Sequence, residues 1–168
     1  MKRAAPMILI VLLISGIELL AAVGIGAKLL NGGIPFIVGE LGGESLSVEL
    51  GVGLQSVNLL GLASLTMIWY SGIARVAFPV GSIAPYVGAG GIGLSVIVSS
   101  DLLEGDESGS MFGVTGEGGL RYSFEDMGLP LRIYGGVNVN WYPLAGLLED
   151  LGIGGVAMGW HVGAVVPF

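Results

Sequence analysis

The residues that could do chemistry in this chain are few. Among 168 residues there are 13 acidic and 6 basic side chains, one histidine and no cysteine. The absence of cysteine excludes a disulfide framework, thiolate catalysis and a sulfur-ligated metal. His161 has no carboxylate at ligand spacing, so we expect a polar interior residue there, with no metal and no cofactor. The net charge of -7 repels phosphate and excludes a basic face for nucleic acid.

Nucleophilic catalysis by His161 would need a serine within reach. The position two residues further is Gly163, so this alternative depends on serines of other segments, namely Ser47, Ser71 or Ser123. The run GAGGIG at residues 88–93 superficially matches a dinucleotide fingerprint, but no helix or acidic partner follows it. We therefore expect no catalytic residue.

The segments that must position these residues alternate in polarity with period two. In residues 45–55 every even position is Leu or Val, and every odd position is Ser, Glu, Gly or Gln. The same alternation recurs in residues 111–124, 129–142 and 155–168, and less regularly in residues 65–78 and 83–98. Residues 23–30 and 34–40 form a hairpin around Asn31 and Gly32, with the parity of its second strand left open. The sequence therefore predicts eight strands.

The predicted connections alternate between short and long. Those at residues 41–44, 79–82 and 125–128 are short, whereas those at residues 57–64, 99–110 and 143–152 are longer. Short turns at one end and longer loops at the other are typical of transmembrane barrels. Strands of about ten residues are also long enough to cross the hydrocarbon layer.

The composition predicts which face of the strands meets lipid. The chain is 53% apolar and 11% charged, with a mean hydropathy of +0.87, so it lacks the polar surface of a water-soluble domain. The polar strand faces are mostly glycine and serine, so we expect them inside and the apolar faces outside. Aromatic side chains should then form two outward belts, with Phe78, Tyr122, Phe124 and Phe168 beside the short turns and Tyr70, Phe112 and Trp141 near the long loops.

Charged side chains of the polar faces should meet inside the barrel, because eight strands leave room only for side chains. By parity the interior set comprises the charged residues Glu49, Arg75, Glu117, Arg121 and Arg132 and the polar residues Tyr134, Asn138, Asn140 and His161. We expect the charges in one layer near the short turns. A plain four-residue turn at 125–128 would place Arg121 opposite Arg132. The favoured interpretation is a structural plug, with a gated path for ions or small solutes and catalysis as alternatives.

The start of the chain predicts a leader. A basic stretch at residues 1–3 and an apolar run at residues 7–20 predict a signal peptide helix over residues 1–21, cleaved between about residues 16 and 22, with the barrel over residues 22–168. An uncleaved anchor helix is the alternative. Residues 76–100 carry no charge, which leaves a small helical inner-membrane protein as a rival fold, although glycine and proline disfavour it.

The chain resembles the small outer-membrane barrels of the OmpA and OmpX type. The matching features are the export segment, the first strand with G-x-G-A-K at residues 24–28, the glycine-dotted strands, and the final strand WHVGAVVPF. The resemblance implies an all-β, eight-stranded antiparallel up-and-down transmembrane barrel in the cell outer membrane. It also implies that Phe168 is read by the barrel-assembly machinery. Pro167 departs from the pattern because it lacks a backbone donor.

The expected function is that of a non-enzymatic outer-membrane protein, surrounded by outer-membrane lipid and monomeric, whose plugged barrel anchors surface loops. The connection at residues 99–110 is the best candidate for a contact loop, and an ordinary solvated charge run is the other interpretation of it. Its carboxylates could bind divalent cations or a cationic extracellular partner, and they belong to Asp101, Glu104, Asp106 and Glu107. The alternatives are a narrow channel and, because some barrels of this type modify lipids, a lipid-modifying enzyme.

Overall fold

The chain forms a closed barrel. The computed structural model describes residues 23–31, 33–59, 63–100, 107–143 and 155–168. The signal peptide predicted over residues 1–21 lies outside this part of the chain. Each strand pairs antiparallel with the next and the last pairs with the first, which confirms the predicted up-and-down barrel. The strands are β1 (Val23–Leu30), β2 (Ile34–Gly42), β3 (Leu46–Leu59), β4 (Ala63–Ala77), β5 (Ile83–Ser100), β6 (Glu107–Ser123), β7 (Arg132–Tyr142) and β8 (Gly155–Pro167).

The helical alternative is wrong, because the charge-free residues 76–100 form the end of β4, a turn and the whole of β5. The described part of the chain contains one helix, a 3-10 helix at Glu125–Met127. No helix among the described residues is both long and apolar enough to span a membrane.

Three predicted connections differ most from their bounds in the structure. β3 extends to Leu59 and β4 begins at Ala63, so most of the predicted connection at residues 57–64 is strand. Residues 99–100 likewise belong to β5, where they pair with β4, and residues 107–110 belong to β6, where Glu107 lies opposite Val98. The turn predicted at 125–128 spans residues 124–131 and is closed by a hydrogen bond from the Phe124 amide to the Leu131 carbonyl.

The strands differ strongly in length, and this makes the barrel taller on one side. β3 to β6 have 14, 15, 18 and 17 residues, whereas β1, β2, β7 and β8 have 8, 9, 11 and 13. Pairing of β2 with β3 ends at Phe36 and Gly53, and pairing of β6 with β7 ends at Val114 and Trp141. The loop ends of β3 to β6 therefore project beyond their shorter neighbours.

The alternation of the sequence becomes an inside and an outside. Outward side chains such as Val52, Leu54 and Val137 are apolar and exposed, whereas inward ones such as Lys28 and Glu49 are buried. The parity of β2, left open by the sequence, places Phe36, Val38 and Glu40 inside.

The interior has two layers of opposite character. Charged side chains fill the part nearer the short turns, and an apolar cluster fills the part nearer the loops. That cluster contains Ile92, Leu94, Val96, Met111 and Tyr142, against which Leu65, Met67, Trp69 and Val98 pack. We expected apolar faces to point to lipid, and this cluster departs from that rule. Here most outward positions of β5 and β6 are serines, such as Ser95 and Ser110, with Ile97 as an exception, so the polarity of these two strands largely inverts at the loop end.

Candidate functional site: the charged interior of the barrel

Four charges on four strands form a central ion cluster, which we define as Lys28, Glu49, Arg75 and Glu117. The Lys28 ammonium donates to Glu49 Oε1 at 2.8 Å and to Glu117 Oε2 at 3.3 Å. The Arg75 guanidinium donates from Nη1 to Glu49 Oε2 at 2.7 Å and from Nε to Glu117 Oε1. Each cation therefore bridges both carboxylates. Such reciprocal pairing is what offsets the cost of removing four ions from water.

Three aromatic side chains support the central ion cluster. The Tyr134 hydroxyl donates to Glu49 Oε2 at 2.6 Å. The Arg75 guanidinium carbon lies 4.6 Å from the centre of the Tyr134 ring and 5.4 Å from that of Tyr86, within range of cation-π attraction. The Tyr86 hydroxyl is hydrogen-bonded to His161 Nε2, which lies 3.9 Å from Glu117 Oε2. The rings hold the charged groups in place and fill the space around them.

A second group of charges lies nearer the short turns. Arg132 contacts Glu125 Oε1 at 2.8 Å through Nη2 and Glu40 Oε1 at 3.5 Å through Nη1. Arg121 lies 4.0 Å from Glu40 Oε1 and donates to the Glu44 carbonyl oxygen. Glu40 also lies 3.9 Å from Arg75 Nη1, which links the two groups. The interior charges thus form one connected network.

The predicted interior charges are distributed differently from the single layer that we expected. Glu49, Arg75 and Glu117 meet in the central ion cluster, whereas Arg121 and Arg132 belong to the group near the turns. The expected opposition of Arg121 and Arg132 is wrong. Because the turn between β6 and β7 is longer than four residues, Arg121 faces Tyr134 and Arg132 faces Ser123.

Sequence reasoning missed two interior charges. Lys28 follows the period-two positions of Gly24 and Gly26 on β1, so parity alone would have placed it inside. Glu40 was missed because both faces of β2 are apolar near its start, which leaves its parity undefined. These two residues supply a cation to the central ion cluster and a carboxylate to the group near the turns.

The uncharged polar residues predicted inside are buried there. Asn138 lies opposite Glu117 and Asn140 opposite Thr115 in the pairing of β6 with β7. Ser47 is buried, and Ser71 and Ser123 are half-buried. Among the described residues, the hydrogen-bond partner of the His161 ring is the Tyr86 hydroxyl rather than any of these serines.

Aromatic side chains lie on the outer wall near both ends of the barrel. Phe78 and Phe168 are exposed near the turn end, where the Tyr122 and Phe124 rings stack edge to face with centroids 4.7 Å apart. Near the loop end, Phe112 and Trp141 are exposed, and the Tyr70 ring lies 5.5 Å from that of Phe112. Trp160, which belongs to neither predicted belt, is also exposed on the outer wall.

The predicted acidic contact loop falls largely outside the described residues, because Asp101, Glu104 and Asp106 lie in the segment 101–106. The placement of Glu107 in that loop is wrong, since its backbone begins β6 and pairs with Val98. No group of three His, Asp or Glu residues in the described ranges is arranged to hold a metal ion.

Solved structures share this barrel, although no protein-family model and no curated protein matches the sequence significantly. The N-terminal barrel domain of Pseudomonas aeruginosa OprF is 16% identical, with a TM-score of 0.60, covering 88% of this chain and 97% of that one. Neisserial surface protein A is 16% identical, with a TM-score of 0.60, and the match covers 88% of this chain and 96% of that one. Ail of Yersinia pestis, solved in complex with the heparin analogue sucrose octasulfate, is 16% identical, with a TM-score of 0.55. This match covers 88% of this chain and 95% of that one.

These structures share their architecture with the chain. The chain therefore has the fold of the small eight-stranded outer-membrane barrels, and the resemblance drawn from the sequence is confirmed at the level of fold.

Proposed function

We propose that the protein is an integral outer-membrane protein whose closed barrel presents its loop end at the surface without forming an open pore. Its outer wall supports a membrane location. Leu50, Val52, Leu54 and Val137 are more than half exposed there, and a continuous apolar wall of this kind is unfavourable in water. Lipid is the solvent in which such a wall is stable.

The observation that carries the closed-barrel proposal is the central ion cluster. An ion moving along the axis would have to separate Arg75 from Glu49 and Glu117. Lys28 and Tyr134 also donate to Glu49 and so hold this carboxylate in place. Breaking a buried pair costs about 3 to 5 kcal/mol. The ion would then meet the apolar cluster around Leu94, whose side chains cannot replace its hydration shell. Two successive barriers therefore oppose conduction.

Planar-bilayer recording tests this closure. We expect no discrete conductance steps from the wild-type protein. The double variant Arg75→Ala, Glu117→Ala keeps the net charge and removes the bridging groups. The apolar cluster is then the remaining barrier, so this variant should conduct only weakly. A triple variant that adds Leu94→Ser should conduct more. Steady conductance of the wild-type protein, altered by either Glu117→Gln or Arg121→Gln, would instead establish the narrow channel.

A surface interaction role is supported by the tall side of the barrel. Strands β5 and β6 carry residues 101–106, whose sequence DLLEGD has three carboxylates, at the end of their projecting portion. The basic residues that follow residue 3 are Lys28, Arg75, Arg121 and Arg132, and all four are buried in the barrel. Charge complementarity therefore favours a cationic partner. A polyanion such as the ligand bound to Ail would be repelled.

Exchange of residues 101–106 for a Gly-Ser linker of equal length tests that role. We expect vesicles carrying the wild-type barrel to bind a fluorescent oligolysine probe and the exchanged variant to bind less, with a stronger difference at low salt. Heat-modifiable migration on a denaturing gel provides the folding control. Equal binding by both proteins would contradict the assignment of the interaction to this loop.

We propose no catalytic role, since the His161 ring is held by Tyr86 beside the central ion cluster. Mass spectrometry of lipid A from cells with and without the protein tests this, and a mass change that depends on His161 would establish a lipid-modifying enzyme instead.

Assembly is proposed to depend on the last strand. Pro167 lies opposite Gly24, and the Phe168 amide donates to the Val23 carbonyl oxygen at 2.9 Å, so pairing continues past the proline. The Phe168 side chain is 73% exposed on the outer wall, where the assembly machinery could bind it. We expect the assembled barrel to be a monomer.

A further inference from the structure

A groove on the outer wall lies apart from the charged interior and from the loop end. It crosses β3 to β6 and has a volume of about 320 Å³. In the strand register Gly72 lies opposite Gly91, and Gly93 lies between Tyr70 and Phe112. The floor is therefore backbone at Gly72 and Gly91, the Tyr70 ring covers Gly93, and the walls are bulky apolar side chains. The lining residues that matter here are Leu50, Tyr70, Gly72, Gly91, Gly93 and Phe112.

One wall of the groove is fixed by packing. The Tyr70 ring lies so close over Gly93 that a Cβ atom at this position would overlap the ring. The same ring is tilted by 58° against that of Phe112, with centroids 5.5 Å apart. Because glycine admits the ring and Phe112 packs against it, the Tyr70 ring has a defined position beside the groove.

Three hydroxyl groups lie at the loop side of this groove. The Ser95 and Ser110 Oγ atoms are 2.8 Å apart, and the Tyr70 hydroxyl lies 3.4 Å from Ser95 Oγ. On β5 and β6 the apolar wall thus gives way to hydroxyls at the level of Tyr70 and Phe112, with Ile97 as an exception. Aromatic belts of this kind mark the boundary between hydrocarbon and the interfacial region of a bilayer, so the groove would lie just inside the hydrocarbon.

In the part of the chain that the structure describes, no basic side chain lies on the outer wall near the groove. The four basic side chains that follow residue 3 are all inside the barrel. A lipid with several phosphates, such as lipid A, would therefore find no charged partner on this wall. Contact would be limited to the chain and to the carbonyl group that joins it to the headgroup.

We propose that the groove binds one acyl chain of a phospholipid without net charge, such as phosphatidylethanolamine, whose ester carbonyl accepts a hydrogen bond from the serine pair. This inference rests on the proposed membrane location. Lipid chains are as apolar as the barrel wall, so the hydrophobic effect does not favour the groove over the rest of the wall. The preference of the acyl chain for the groove comes instead from van der Waals contact with its walls and from the interfacial hydrogen bond.

Photocrosslinking in vesicles tests the proposal. The full-length protein is folded into phosphatidylethanolamine-containing vesicles with a trace of the same lipid carrying a diazirine on one acyl chain, and labelled residues are located by peptide mass spectrometry. We expect Leu50 and Phe112 to be labelled about threefold more than Val137, a ratio of the size that one hydrogen bond in a membrane supplies. Val137 is a matched reference because it is also outward and 61% exposed.

Filling the groove should remove that preference. A Cβ atom at Gly91 has its nearest neighbour 3.9 Å away, and one at Gly118, outside the groove, has it at 3.6 Å. Both positions therefore accept a larger side chain. Gly91→Leu should bring the labelling ratio close to one, whereas the control Gly118→Leu should leave it unchanged. Should Gly91→Leu fail to fold, Ser95→Ala with Ser110→Ala should lower the ratio.

The outcomes separate this proposal from the membrane location on which it rests. Equal labelling of the groove and Val137 in the wild-type protein would overturn the groove site while supporting a lipid-facing wall. No labelling at any of these positions would contradict the membrane location itself. Stronger labelling by a lipid A probe with the same diazirine chain would overturn the choice of ligand.

Discussion

Replacement of Glu49 by glutamine is the sharpest perturbation of the central ion cluster. The side chain is 0% exposed and accepts hydrogen bonds from Lys28 Nζ at 2.8 Å, Arg75 Nη1 at 2.7 Å and the Tyr134 hydroxyl at 2.6 Å. Glutamine keeps the shape but removes the charge, which leaves two buried cations sharing Glu117, with Glu40 at 3.9 Å from Arg75 as the next carboxylate. Removing one partner of a buried pair costs about 3 to 5 kcal/mol, so we expect the free energy of unfolding to fall by that amount.

A matched control lies at the edge of the same network. Glu125 also accepts from an arginine, with Arg132 Nη2 at 2.8 Å, but its side chain is 38% exposed. An ion pair in contact with water is worth about 0 to 1 kcal/mol. Glu125→Gln should therefore change the stability several-fold less than Glu49→Gln.

The assay is urea unfolding from lipid vesicles, followed by tryptophan fluorescence under conditions in which folding is reversible. Adding Lys28→Met to Glu49→Gln restores the wild-type charge balance of the interior and should recover at least about 1 kcal/mol. A loss for Glu49→Gln that is no larger than that for Glu125→Gln would refute the claim that the cluster pairs these charges away from water.

Further predictions concern single contacts. Tyr134→Phe removes a hydroxyl that donates to Glu49 and should lower the unfolding free energy by about 1 to 2 kcal/mol, whereas Tyr122→Phe on the outer wall should change it little. Gly119→Ala should cost about 2 kcal/mol, because its Cβ would lie 2.8 Å from the Gly136 Cα atom, while Gly118→Ala should be tolerated. Phe168→Ala should slow insertion by purified assembly machinery but leave unassisted refolding in detergent unchanged, which timed heat-modifiability gels would show.

The barrel could be predicted from the sequence because a period of two is insensitive to details of the turns. Any even shift in register leaves each side chain on the same face. For this reason Glu117 and Asn138 were assigned to the interior without knowledge of their partners. Parity failed on β2, where Ile34 to Val38 are apolar on both faces, so Glu40 was not found.

The contacts inside the barrel depend on lengths that alternation does not determine. The turn between β6 and β7 incorporates a 3-10 helix and is therefore longer than four residues. As a result Arg132 pairs with Ser123 instead of Arg121, while both arginines still point into the barrel. Apolar character alone also does not distinguish lipid from an apolar interior. The inward Leu94 and the outward Val137 have the same chemistry, and on the opposite face of β5 only Ser95 and Ser99 signal the inversion, interrupted by Ile97.

The most direct test of the inside-out arrangement uses the absence of native cysteine. Single cysteines placed in turn at positions 133 to 141 on β7, spin-labelled in the protein folded in lipid vesicles, report collision with oxygen dissolved in the bilayer. We predict high oxygen accessibility at Ile133, Val137, Val139 and Trp141, and low accessibility at Tyr134, Asn138 and Asn140. The opposite parity, or a period near 3.6, would contradict an apolar outer wall surrounding a charged interior.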